Sequence, residues 1–266
     1  MFKKNPDGMR MEPTPERVLS VCRLVAQKRV TQDEIRDILT LGKVGDKELD
    51  EIDKSIVVAS EELGVIKMKD NYFELAVSKE IISSTVAFRR FVASKVFAQS
   101  DTTFSMFSKW IIDQNDRLFS LEKWEVMAVT SGADNSELSA VDENAVLGWR
   151  FWAAFLGLGY LNRTMFLPNM KIRLQDIFAT SYPQRFKYGE TIRATEFIDW
   201  LSSKLPEVSF SNRLPLAVSA GFRTLHELGL IKLETWRDSN RVMLFFVDGD
   251  PINDFSHITV SEEVCK

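Results

Sequence analysis

The chain has little of the chemistry on which most enzymes depend. Its 266 residues include only two cysteines, Cys22 and Cys265, and two histidines, His226 and His257. Two distant cysteines form neither a disulfide framework nor a zinc site, and they favour a reducing compartment. Serine catalysis would need one histidine as its base, yet no Gly-x-Ser-x-Gly motif is present. We therefore interpret His226 as a partly exposed helix residue and His257 as part of a tail strand.

Motifs for metal and phosphate chemistry are missing as well. No acidic residue stands two positions before a lysine, which is the spacing that metal-dependent nucleases commonly use. No Walker-type loop occurs, and Gly157-Leu158-Gly159 lacks the third glycine of a dinucleotide fingerprint. Asp248 and Asp250 could bind a cation, but their spacing is common in turns, and we interpret them as turn residues. The sequence predicts no enzyme, cofactor or metal ion; the enzymatic alternative that stays open is a site formed only by the fold.

Long apolar runs and a net positive charge are also lacking. No stretch approaches the roughly 18 apolar residues of a membrane-spanning helix, and the N-terminus has no apolar signal core. We expect a cytoplasmic protein without a membrane partner. The formal net charge of −4 argues against a surface covered in nucleic-acid-binding charge, although a basic face on one domain is compatible with it.

The first third of the chain carries clear helix and turn signals. Capping residues precede apolar residues at helical spacing, and a glycine follows the last of these helices. Two short apolar runs on either side of a polar turn then predict a β-hairpin. In order, the sequence predicts a flexible leader at 1–13, a helix capped by Thr14, a short helix with a capping box at Thr31 and Glu34, a third helix from Lys47 to Gly64, and a hairpin at 65–75.

The C-terminal third repeats part of this pattern. Glu227-Leu228-Gly229-Leu230-Ile231 echoes Glu62-Leu63-Gly64-Val65-Ile66 at a predicted junction between helix and strand. Two apolar runs around a polar turn again favour an antiparallel hairpin. The predicted elements are helices at 195–205 and 212–228, strands at 232–236 and 241–247 around the turn 237–240, and a tail at 248–266.

The middle region, residues 79–188, is mainly helical by the same criteria. Its apolar residues recur at helical spacing, and a short strand pair follows the most aromatic helix. The predicted elements are helices at 81–98, 103–119, 121–129 and 144–158, strands at 158–161 and 165–167, and an exposed polar loop at 132–143.

Helices followed by a hairpin are the order of elements in a winged helix-turn-helix domain, and residues 14–78 and 189–247 resemble that superfamily. Residues from about 120 to 180 resemble it in a degenerate form. The resemblance implies a mainly α fold with small β-hairpins (α+β), in which tandem winged-helix domains are joined by a helical middle region. The general order of elements also resembles winged-helix subunits of phage-defence or DNA-modification systems such as the DpdG type. No diagnostic residue carries this second resemblance.

DNA-reading winged helices place their third helix in the major groove and their wing on the backbone. In the N-terminal unit, residues 47–55 of that helix carry four carboxylates against two lysines, which phosphates would repel. The C-terminal unit has basic residues in the corresponding places. The alternative is that these are solvated charges, partly used in local pairs such as Glu234 with Arg241. The predicted DNA-binding residues are Arg213, Arg223, Lys232, Arg237 and Arg241.

Two functions follow from the resemblance. We expect a non-enzymatic subunit of a DNA-associated bacterial complex, phage defence being one such process. Its N-terminal unit would dock other protein subunits or a second copy, and its C-terminal unit would contact double-stranded DNA weakly and without sequence preference. The alternative is a dimeric transcription regulator, which would bind a short palindrome in a sequence-dependent manner.

Overall fold

The protein is described by a computed structural model, which covers residues 2, 9–42, 47–120, 123–124, 138, 141–163 and 165–265, without the side chains of 47–52 and 265. The chain forms two compact units. Unit 1 lies within Met1–Phe107 and Lys123–Trp152, and unit 2 within Ser108–Glu122 and Ala153–Lys266. The described residues combine helices with small antiparallel sheets, as expected for an α+β fold.

The helices of the first part of the chain begin where the capping residues predict. The Thr14 hydroxyl accepts from the Arg17 N–H at 3.4 Å. Thr31 and Glu34 form the capping box, with the Glu34 N–H donating to Thr31 Oγ1 at 3.2 Å and the Thr31 N–H to Glu34 Oε2 at 2.8 Å. The elements are α1 Pro15–Gln27, α2 Gln32–Leu39, α3 Lys47–Glu62, β1 Ile66–Lys69, β2 Tyr72–Leu75, α4 Lys79–Ser83, α5 Thr85–Val96 and α6 Thr103–Asp113.

The predicted helix at 81–98 is interrupted, because Ser84 is extended at φ −135° and its hydroxyl accepts from the Ala87 N–H at 3.0 Å. This side-chain bond starts α5 as a new helix. The predicted helix at 103–119 is likewise shorter. Asn115 has a φ of 52°, and residues 115–120 form a 3₁₀ helix after α6.

A third strand position flanks the hairpin of unit 1. Strands β1 and β2 pair in antiparallel register, with Ile66 opposite Leu75 and Lys69 opposite Tyr72. Val30, between α1 and α2, bridges to Phe73 on the other side of β2, and the Phe73 N–H donates to the Val30 carbonyl at 2.7 Å. Strand β2, the last in the chain order of unit 1, therefore lies between β1 and Val30. Helix α1 packs against both α3 and β2.

The predicted flexible leader is wrong for its described residues. Phe2 and Met9 are 3% and 4% exposed, and the Phe2 ring lies 4.9 Å from the Trp152 ring. The Trp152 indole N–H donates to the Pro13 carbonyl at 2.6 Å. Apolar side chains and a buried indole donor that needs an acceptor thus hold this segment in unit 1.

The remaining elements alternate between helices and short strands. Strands β3 and β4 confirm the predicted strand pair, with Tyr160 opposite Leu167. The predicted helix 121–129 and the loop 132–143 lie largely outside the described residues. The elements are α7 Glu143–Phe155, β3 Gly159–Asn162, β4 Met165–Pro168, α8 Lys171–Ser181, β5 Thr191–Arg193, α9 Ala194–Ser202, α10 Leu216–Glu227, β6 Ile231–Glu234, β7 Val242–Met243, β8 Asp254–Phe255, β9 His257–Val260 and a 3₁₀ helix Glu262–Cys265.

The predicted C-terminal hairpin is wrong, because β6 pairs with β9 instead of with the strand after the turn. Leu233 lies opposite Ile258, whereas Val242 of β7 lies opposite Phe255 of β8. Strand β9 also pairs with β5, so the sheet order is β5, β9, β6. Strand β9 supplies the alternating apolar side chains that this sheet buries, and the supposed tail is its middle strand.

The two faces of this sheet differ sharply. Ile258 and Val260 of β9 are fully buried beside Ile231 and Leu233 of β6. The opposite face consists of two polar rows across the three strands, which we call the polar face. Its rows are Thr191, Thr259 and Lys232, and Arg193, His257 and Glu234.

Three helices end in the same glycine motif. Gly64, Gly157 and Gly229 have φ values of 67°, 81° and 70°, a conformation that glycine adopts without strain. At the first of them, the Gly64 N–H donates to the Glu61 carbonyl at 2.8 Å and the Val65 N–H to the Ser60 carbonyl at 3.1 Å; the other two glycines repeat this pair of bonds. Each motif leads directly into a strand, so the sequence echo extends to a third copy at Gly157.

Substitution of β9 tests its central position. We expect Ile258→Ala to lower the free energy of unfolding by about 2–5 kcal/mol, because it leaves a cavity in a fully buried layer. The matched Ile38→Ala change, at a side chain that is 46% exposed, should lower it by about 1 kcal/mol or less. Urea unfolding followed by circular dichroism measures both. Equal small losses would mean that residues 248–266 are a dispensable tail.

Candidate nucleic-acid interface

The five predicted DNA-binding residues all lie in unit 2, but only four of them reach the surface. Arg213 is exposed just before α10, which begins later than predicted because Pro215 occupies its N-cap. The Leu214 N–H donates to the Met243 carbonyl at 2.9 Å and places Arg213 beside β7. Lys232 is exposed on β6, and Arg237 and Arg241 are exposed in the segment between β6 and β7.

Arg223 does not face solvent, so its predicted role in the groove is wrong. Its residue is 6% exposed, and its Nε lies 2.7 Å from Asp250 Oδ2. The same guanidinium donates through Nη2 to the carbonyls of Phe245 and Ile252, both at 2.8 Å. The segment between β7 and β8 therefore folds back onto α10, and Arg223 satisfies its carbonyl groups.

A serine on the same helix supports this attachment. The Ser219 hydroxyl, fully buried on α10, accepts from the Phe245 N–H at 2.8 Å. Helical spacing alone indicated an outward Arg223, because nothing in the local sequence reveals that a later segment covers that side of α10. The available signal was Asp250, a carboxylate that could pair with a buried arginine and that was interpreted as a turn residue.

Two of the exposed cations share their charge with neighbouring carboxylates. Lys232 Nζ lies 2.8 Å from Glu234 Oε1 on the same strand. Arg241 Nη1 lies 3.4 Å from Asp254 Oδ1. The expected pair of Glu234 with Arg241 is wrong, because β7 pairs with β8 and not with β6. Exposed ion pairs contribute little stability in water, so both cations stay available to a phosphate.

Arg213 and Arg237 carry no ion pair within the described part of the chain. Arg193, at the end of β5, shares this property, while the nearby Arg185 pairs with Glu196 at 3.2 Å. Arg193 was missed as a site residue because its place beside His257 follows from the β5–β9 pairing, which the sequence did not reveal. Arg193, Arg213 and Arg237 therefore keep uncompensated positive charge at the surface of unit 2, as do exposed lysines such as Lys187 and Lys204.

Unit 1 has a basic cluster of its own on the hairpin side. Lys67 Nζ and Arg29 Nη2 lie 3.2 Å and 3.3 Å from the two oxygens of Glu74. The hydrogen bond from Lys67, with further attraction to Lys67, Lys69 and Arg29, lowers the pKa of Glu74. One carboxylate, Glu74, interacts with three cations here. The hairpin side of unit 1 therefore carries a local excess of positive charge, in contrast to the acidic sequence of α3.

The acidic face predicted for α3 includes Asp53, whose side chain is described. Side chains 47–52 lie outside the described residues, but Asp53 is 1% exposed and accepts from Gln32 Nε2 at 2.8 Å. Asp53 is therefore a buried partner of α2 and does not face a ligand. The prediction that Asp53 helps to repel phosphates is therefore wrong.

Cysteine and metal-binding side chains are the other groups that could carry chemistry. No cluster of three or more His, Cys, Asp or Glu side chains could hold a metal ion in that part of the chain. Burial raises the pKa of the Cys22 thiol to about 12, so it is not a thiolate nucleophile near neutral pH. Among the described residues, no helix is both long and apolar enough to span a bilayer.

Comparison with known proteins gives no relative: no family model, curated protein or solved structure matches the chain.

Replacing Arg223 separates a structural from a DNA-contacting role. We expect Arg223→Met to lower the free energy of unfolding by about 3–5 kcal/mol, since it leaves Asp250 and two carbonyls without their buried donor. The control Arg213→Met removes an exposed cation and should change stability by about 0.5 kcal/mol or less. Chemical denaturation measures both. Unchanged stability in Arg223→Met together with a loss of DNA binding would contradict the structural role.

Proposed function

We propose that the chain is a non-enzymatic subunit of a DNA-associated complex, built from tandem winged-helix units, whose unit 2 contacts duplex DNA. The supporting observation for the fold is a repeated order of elements. In unit 1 the order is α1, Val30, α2, α3, β1 and β2, and the last strand lies between the other two strand positions. This is the order of a winged helix-turn-helix domain.

Unit 2 has the same order in α8, β5, α9, α10, β6 and β9, and again its last strand is central. Helix α8 packs against α10 as α1 packs against α3. In this proposal the C-terminal winged helix extends over residues 171–260 in place of 189–247. Its wing is the long connection between β6 and β9. The sequence α7, β3 and β4 corresponds to the end of a third, incomplete copy.

The proposal of DNA contact depends on one observation, the exposed and uncompensated Arg213 and Arg237. Arg213 precedes α10, the helix that corresponds to the groove-reading helix, and Arg237 lies in the wing. Lys232 and Arg241 add charges that are shared with carboxylates. Two unpaired cations and two shared ones at this surface support weak binding that is sensitive to salt and independent of base sequence.

Docking of protein partners belongs to unit 1 in this proposal. Leu41, directly after α2, is 88% exposed, and Ile38 and Val58 of α2 and α3 are 46% and 50% exposed. Helices α2 and α3 contact each other, and exposed aliphatic side chains on neighbouring helices favour association with other proteins. A complex would then be held by protein contacts, while DNA binding would add a weaker, electrostatic contribution.

Charge reversal at Arg213 and Arg237 tests the DNA contact. Fluorescence anisotropy of a labelled random duplex should report binding at about 50 mM salt that weakens steeply towards about 200 mM. We expect Arg213→Glu with Arg237→Glu to weaken binding by about tenfold or more at the lower salt concentration. Each lost phosphate contact should also reduce the slope of log affinity against log salt by about 0.9.

The matched control is Lys79→Glu with Lys204→Glu, which makes the same change in net charge at exposed positions outside the candidate interface. The control should bind within about twofold of the unaltered protein, because only local charge is at stake. Equal losses in both double variants would contradict a localised interface. A strong preference for one palindromic duplex would instead favour the dimeric regulator.

A further inference from the structure

A small polar cleft opens on the polar face of unit 2, where the wing folds over the sheet. Its volume is about 270 Å³, which is larger than a phosphate ion needs. The wing contributes the turn after Trp236, and the sheet contributes the row that contains His257. The lining residues are Arg193, Thr195, Asp238, Ser239, Asn240, Ser256 and His257.

His257 is held rigidly in this cleft although it belongs to the polar face. It is 7% exposed, and its ring stacks on Trp236 at 3.7 Å between centroids and 25° between planes. Its Nδ1 lies 3.0 Å from Ser256 Oγ, which in turn accepts from the Trp236 N–H at 2.8 Å. Within the described chain Nε2 has no hydrogen-bond partner. The Ser256 hydroxyl donates to the Glu234 carbonyl at 3.2 Å, so the hydrogen between Ser256 and His257 lies on Nδ1, and Nε2 is left as an acceptor.

Positive charge converges on the same place. Arg193 occupies the N-cap of the nine-residue helix α9, makes no side-chain capping bond, and has no ion pair among the described residues. Thr195 in the first turn adds a hydroxyl. The Ala194 N–H donates to the Ser256 carbonyl at 2.8 Å. The N-terminus of α9 therefore contributes the N–H groups of Thr195 and Glu196 and the positive end of the helix dipole. Ser239 and Asn240 close the cleft from the wing with further donors. This set of donors suits an oxyanion.

Asp238 is the one carboxylate of the lining, and it restricts the choice of oxyanion. A carboxylate repels an anion that has no proton, but it can accept a hydrogen bond from one that has. Inorganic phosphate retains a P–OH hydrogen at neutral pH even as its dianion, whereas a phosphate monoester loses its last acidic hydrogen above its second pKa of about 6. Sulfate and the phosphodiesters of DNA have no such proton.

We propose that this cleft binds inorganic phosphate, which keeps a P–OH hydrogen at neutral pH. Arg193, Thr195 and the N-terminus of α9 hold the phosphate oxygens, Asp238 accepts a P–OH hydrogen, and His257 Nε2 is a second acceptor for the P–OH of the monoanion. The site is separate from the proposed contact of Arg213 and Arg237 with DNA. It would make the position of the wing dependent on a small ligand, because Asp238, Ser239 and Asn240 come from the wing.

The test uses the full chain and long-range ¹H–¹⁵N NMR of the two imidazoles, with inorganic phosphate titrated at pH 7 and constant ionic strength. We expect saturable shifts of His257 and unchanged signals of His226, whose Nδ1 accepts from the Leu233 N–H at 3.1 Å and serves as internal reference. Sulfate should bind at least about tenfold more weakly. Arg193→Gln should abolish saturation, whereas the control Arg213→Gln should leave it unchanged.

Asp238→Asn provides a second test that does not depend on loss of binding. It should reduce the preference for phosphate over sulfate, because an amide no longer repels the unprotonated anion. Equal affinity for sulfate in the unaltered protein, equal drift of both histidines, or full binding in Arg193→Gln would overturn the proposal. Displacement of phosphate by a random duplex at constant ionic strength would also overturn it, since it would assign the cleft to phosphodiesters.

Discussion

The backbone pairing of β9 between β5 and β6 is the constraint on which the rest of unit 2 depends. Strands β6 and β9 are antiparallel neighbours, but residues 235–256 separate them, so the chain leaves the sheet after β6 and returns before β9. This long connection folds onto α10 and onto the polar face. This return fixes Arg223 under Phe245 and Ile252, and it places Trp236 on the ring of His257.

The same constraint sorts the basic residues by role. The Arg223 guanidinium lies under the connection between β6 and β9 and binds Asp250 and two backbone carbonyls, so Arg223 stabilises the fold. An exposed guanidinium, such as that of Arg213 or Arg237, keeps its charge for a ligand. Arg193, at the junction of the sheet and the wing, lines the polar cleft. Net composition could not reveal this division, since a formal charge of −4 averages over all of these places.

Local signals in the sequence predicted much of the helical structure and little of the long-range pairing. The capping residues Thr14 and Thr31 mark helix starts correctly, since a cap is a contact between residues three apart. The glycines at 64 and 229 mark helix ends for the same local reason. The partner of β6 could not be found in this way, because a period of two identifies a strand but not its neighbour. The polar turn at 237–240 therefore suggested a hairpin that does not form.

The central claim, that β9 is the partner of β6, is tested most directly by nuclear Overhauser contacts between backbone α-protons in a selectively labelled sample. The register places Leu233 opposite Ile258, so these two residues should give a cross-strand contact. A hairpin around residues 237–240 would give a contact between Leu233 and Leu244 in its place. Observation of the first contact supports the sheet order from which the cleft and the role of Arg223 follow. Observation of the second alone would contradict it.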